Sequence, residues 1–164
     1  MLKTVGAVLA AVSIFGYFGA AVLKLKKALE RKHAMLASSE YIFENIRYTR
    51  RELFSIYAAL AGTDGEQKLS VFGALSKLKT GYDRRQIKAV LENSALEKEE
   101  ARLFSEFLSV LGKTDVDGQL KHCENYKRIF LEEYEKARRE YREKRGLYLK
   151  TGAYAALAVF VFLL

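Results

Sequence analysis

Apolar residues crowd the two ends of the chain and are spaced out at helical intervals between them. Residues 5–23 are uncharged throughout, and as a helix this run reaches ~28 Å, close to the ~30 Å thickness of a bilayer core. At the other end Thr151 to Leu164 is also uncharged but reaches only ~21 Å as a helix. Starting that stretch at Leu147 lengthens it to a workable span, with Lys150 free to snorkel to the headgroups and Tyr148 suited to the interface.

The middle reads as amphipathic helix. Leu25, Leu29, Leu36, Phe43, Ile46, Leu53, Tyr57 and Leu60 recur every three or four positions with charged residues between them, until Gly62-Thr63-Asp64-Gly65 ends the pattern. One unbroken helix to Ala61 would be ~90 Å long, so a kink or a melted turn is expected within it. Three shorter helices follow. Thr63 with Glu66, Asp83 with Gln86, and Ser94 with Glu97 each have the spacing of a capping box ahead of an apolar run. Gly112 then suits a left-handed helix end, and Thr114 or Asp115 can cap the next helix. In that last helix Leu120, Cys123, Phe130, Tyr134, Ala137, Tyr141 and Tyr148 keep a three/four spacing along one seam.

No strand-like alternation occurs, so the pattern predicts an all-α bundle of about five helices. Its long first and last helices should continue into N- and C-terminal membrane anchors. The expected divisions are a transmembrane anchor over 1–23, a cytoplasmic helical bundle over 24–146 and a transmembrane or membrane-inserted tail over 147–164. Composition agrees with helix, since proline and tryptophan are absent.

Charge adds a direction. Lys24, Lys26, Lys27, Arg31 and Lys32 follow the first apolar run, whereas a cleaved signal peptide carries its charge in front. An uncleaved anchor with a cytoplasmic middle is therefore expected, and Arg142, Lys144 and Arg145 place the same side of the tail inside. The net charge of +8 also admits anionic lipid or nucleic acid as a partner of the basic 24–51 segment, although no nucleic-acid motif accompanies it. Gly16 with Ala20, and Gly152 with Ala156, have the small-xxx-small spacing that lets membrane helices approach.

Candidate chemistry is sparse. The pairs Glu99-Glu100 and Glu132-Glu133 are sequence neighbours, which a helix splays apart rather than converging on one substrate. His122 is splayed from Cys123 in the same way, and the lone cysteine reads as a small core residue. Two histidines and one cysteine offer no metal-ligand set, and no glycine-rich phosphate loop is present. Neither catalytic residues nor a cofactor, metal or small-molecule substrate is expected.

The motif Leu111-Gly112-x-x-Asp115-x-x-x-Gln119, followed by a long charged helix and an apolar end beginning at Gly152, resembles the stage III sporulation protein AB family. The opening Met1-Leu2-Lys3-x-x-Gly6-Ala7-Val8-Leu9 resembles that family's start as well. The chain departs from it in lacking a proline near Arg50–Leu53 and a tryptophan in the central helices. The resemblance implies a non-enzymatic part of the assembly joining mother cell and forespore in endospore formation. It further implies a soluble domain similar to the cytoplasmic domains of type II secretion F proteins, lying in the mother-cell cytoplasm beneath the membrane that surrounds the forespore. Its implied partners are other stage III sporulation A-operon proteins, notably the cytoplasmic ATPase, protein AA. For Leu111, Gly112, Asp115 and Gln119 the residues themselves admit a turn-forming role or a partner contact.

Overall fold

A computed structural model describes residues 2–49, 51–78 and 83–163. Among them the elements are helices: α1 (Leu2–Glu44), α2 (Leu53–Leu60), α3 (Asp64–Leu69), α4 (Phe72–Leu75), α5 (Arg84–Glu92), α6 (Lys98–Leu108) and α7 (Val116–Leu163). The all-α expectation holds, with long first and last helices, although the middle divides into more and shorter pieces than the periodicity suggests. The expected break in the first long helix lies at Asn45–Thr49, a single π-helical turn before α2. There Thr49 Oγ1 donates to the Asn45 carbonyl, and the Arg47 guanidinium lies over the Phe43 and Tyr48 rings.

The chain forms two compact units, Met1–Leu29 with Glu135–Leu164, and Glu30–Tyr134. The first is a pair of helices. Phe18 meets Tyr148, ring centroids 6.3 Å apart. A Cβ added at Gly152 would lie 2.8 Å from that of Phe18, so glycine is what lets the backbones approach here. Ala7 is buried, while Val8, Leu9, Val12, Leu157 and Val161 turn outward.

The second unit packs around aromatic rings. Phe104 has no exposed surface and lies within 6.1 Å (centroid to centroid) of Phe72, 5.9 Å of Phe107 and 5.8 Å of Phe130. Ile42, Ile56, Leu75, Ile87 and Leu91 close the core around them. This is the apolar face that the three/four spacing implied.

The helix starts differ from the sequence reading in two places. Thr63 makes no side-chain cap to α3, and Glu66 serves a different helix. Its carboxylate accepts from the backbone N–H groups of Val71, Phe72 and Gly73 at 3.1, 2.7 and 3.0 Å. Those are the free donors of α4, whose own N-cap residue, Val71, offers no side-chain oxygen. The α3–α4 bend passes through Ser70, which sits at φ 56 in the left-handed region. At α6 the N-cap is Glu97, not Ser94, and its N–H donates to Glu100 Oε2 at 3.0 Å. Asp83 does cap α5, accepting from the Arg85 N–H. Glu66→Gln keeps the shape of the clamp but removes the charge that strengthens it. It should lower unfolding free energy by about 1–2 kcal/mol, read by denaturant unfolding in micelles.

Candidate functional site

The motif residues sit at the turn between α6 and α7. Leu111 is buried, and Gly112 follows at φ +78, a conformation that side chains resist. A Cβ there would also come within 2.9 Å of Leu53 Cδ1. Two independent constraints thus call for glycine. Gln119, in the first turns of α7, reaches back to the loop: its Oε1 accepts from the Gly112 N–H at 3.0 Å and its Nε2 donates to the Thr114 carbonyl at 2.9 Å. Asp115 Oδ1 accepts from the Gly118 N–H at 3.1 Å, capping α7. Asp115 and Gln119 therefore tie two ends of one loop. Gly112→Ala should cost about 1–2 kcal/mol through strain and the displaced Leu53, measured as a fall in Tm.

The same turn borders a cleft of about 650 Å³ lined by Ile46, Leu53, Phe54, Leu111 and Val116, with Arg51, Glu52, Lys113, Gly112 and Gln119 at its edges. Phe54 and Val116 are exposed, and neither Arg51 nor Lys113 has an ion-pair partner among the described residues. The cleft thus joins apolar walls to cations at its rim. Little in the linear pattern announces it: Leu53 stands out by periodicity, but Phe54 and Val116 do not, because only folding brings them beside Leu111.

The basic residues after the first apolar run separate into two groups. Lys24, Lys26 and Lys27 are exposed. Arg31 instead turns into the helical unit, donating from Nε to Glu100 Oε2 at 2.6 Å and from Nη2 to Glu97 Oε1 at 2.8 Å. Burial alone would lower its pKa, but the two carboxylates outweigh that and raise it. Lys32 pairs with Glu133. The cluster expected to face the membrane thus gives two of its members to internal ion pairs.

The remaining chemically interesting groups are engaged in packing. Glu99 pairs with Arg102 while its neighbour Glu100 holds Arg31. The His122 ring lies parallel to Phe107 and its Nε2 is 2.9 Å from the Phe107 carbonyl oxygen. Cys123 is fully buried, and that burial, with Glu124 nearby, pushes its thiol up to about 12. The folded chain should therefore resist iodoacetamide at pH 8 and react only on unfolding. Because the folded state keeps this proton longer than the unfolded one, stability should fall as pH rises from the ordinary thiol range toward 12.

Among the described residues one helix is long and apolar enough to cross a membrane, Val5–Thr49, whose apolar window has a mean hydropathy of 2.0 and is 11% buried. Neither the curated proteins nor the solved structures contain a match to the chain. The profile of the family described as stage III sporulation protein AB, in contrast, matches residues 3–164, nearly end to end. The chain, with its motif turn, its long terminal helices and its apolar ends inside that match, belongs to the stage III sporulation protein AB family.

Proposed function

We propose that this chain is a non-enzymatic, membrane-anchored assembly component of the mother cell–forespore channel, coupling the cytoplasmic ATPase, protein AA, to membrane parts of a secretion-like complex. A role in sporulation fits the family. The coupling role rests on one observation above others: the motif turn lies at the edge of an open apolar cleft flanked by Arg51 and Lys113. That is a surface for a protein partner carrying apolar and acidic side chains.

The two-helix unit supports the membrane placement. The helix beginning near Val5 has the length and hydropathy to cross, and Gly152 is pressed against Phe18 of that helix. In this reading the C-terminal tail crosses beside the first helix, both chain ends face outward, and the Glu30–Tyr134 unit lies in the mother-cell cytoplasm. The alternative, a module binding anionic lipid or nucleic acid through residues 24–51, is weakened because Arg31 and Lys32 are occupied by glutamates.

The full chain in detergent should retain protein AA at moderate salt, and charge reversal at Arg51 and Lys113 together should release it. No retention of the ATPase, with tight salt-sensitive binding to DNA or anionic vesicles instead, would overturn the platform reading. A tag placed after Leu164 should be protected from protease on the cytoplasmic side; cleavage there contradicts the crossing tail.

A further inference from the structure

The two-helix unit carries a second concentration of charge that the ion pairs leave open. Phe18 lies against Tyr148 and Gly152, and the unit closes at Leu29 on one helix and Glu135 on the other, so the helices run antiparallel. Six residues beyond Phe18, ~9 Å along the axis, Lys24 comes level with the stretch around Arg142 and Arg145. Between 24 and 29 and between 135 and 150 the unit holds Lys24, Lys26, Lys27, Lys136, Arg138, Arg139, Arg142, Lys144, Arg145 and Lys150 against the carboxylates Glu135, Glu140 and Glu143.

Two of those carboxylates are taken: Glu135 pairs with Arg139, and Glu140 with Lys144. Arg145 lies over the Tyr141 ring. Among the described residues Lys24, Lys27, Lys136, Arg138 and Arg142 have no carboxylate partner, and all are exposed. Of these, Lys24 and Lys27 on α1 and Arg142 on α7 fall at the level where the apolar span begins, a collar contributed by both helices.

The geometry points to an anionic glycerophospholipid site: the collar formed by Lys24 and Lys27 of α1 with Arg142 of α7 takes the phosphodiester headgroups of acidic lipids. The chemistry is that of a point charge on each lysine and a forked donor on arginine meeting phosphate oxygens at the headgroup level. Free nucleic acid would offer the same oxygens. The apolar faces immediately beyond the collar, with Leu23 and Leu147 exposed on either helix, favour a ligand that carries acyl chains below its phosphate. This differs from the 24–51 segment considered above, because Arg31 and Lys32 take no part and α7 supplies Arg142. It rests on the membrane placement proposed for the two-helix unit, and not on the ATPase coupling.

The test uses the full chain in phosphatidylcholine nanodiscs containing a minor fraction of phosphatidylglycerol. The measured quantity is the ratio of the two lipids that stay with the protein after gentle detergent extraction. The native chain should enrich phosphatidylglycerol, more so at low salt. Replacing Lys24, Lys27 and Arg142 by glutamine should lower that enrichment by about fivefold per cation removed, since each basic residue near an anionic leaflet contributes a factor of that order. Enrichment unchanged in the triple variant, while it still co-elutes with nanodiscs, overturns the collar alone. Failure of the native chain to co-elute with nanodiscs overturns the collar and the membrane placement together. Displacement of phosphatidylglycerol by duplex DNA at equal phosphate would make the surface a nucleic-acid site and overturn the lipid assignment.

Discussion

Arg31→Met should unfold about 2–4 kcal/mol more easily than the native chain, because it strands Glu100 at a nearly buried position without its counter-charge. Side-chain exposure is 12% for Arg31 and 9% for Glu100, so neither group recovers full hydration when its partner is removed. Arg31→Lys should be an incomplete substitute, since one ammonium cannot hold Glu97 and Glu100 from the two arms of a fork. The decisive comparison is the double variant Arg31→Met with Glu100→Met. If the pair works by mutual neutralisation, the double variant should cost less than the sum of the singles, as denaturant unfolding in micelles would show. Strict additivity would mean that packing of the Arg31 stem, not the charge pair, holds this contact.

Phe104→Ala should cost about 3–5 kcal/mol, the largest effect of any single truncation considered, since a fully buried ring leaves a cavity its neighbours fill poorly. Phe72, Phe107 and Phe130 all face the vacated volume, and they come from three different helices, so relaxation at one opens a gap at another. Phe104→Leu should recover more than half of the loss. A loss below about 1 kcal/mol for the alanine variant would show that the rings do not form the cooperative centre of this unit.

How far the sequence carried the reading depends on the range over which each feature is determined. The long helices and the first apolar span are written in consecutive residues, where a 3.6-residue period and a charge-free run suffice. The motif turn was also legible, since Gly112, Asp115 and Gln119 satisfy one another within a few positions. Capping was less secure: Thr63-x-x-Glu66 has capping-box spacing, yet the Glu66 carboxylate meets three converging N–H donors of the next helix. Pairings across long separations could not be seen at all. Arg31 finds Glu97 66 positions away and Lys32 finds Glu133 101 positions away, whereas local pattern assigned both cations to the membrane surface. The cleft was hidden for the same reason, because its walls come from residues 46–54 and 111–119.

The inert burial of Cys123 makes the native chain an almost cysteine-free background for spectroscopy. A cysteine introduced at exposed Phe54, on the cleft, can be labelled with a maleimide dye or nitroxide at neutral pH without first deleting the natural thiol. The same molecule then supplies its own control. Dye on the introduced site alone certifies that the labelled population is folded, while a second dye per chain counts the molecules that opened during handling.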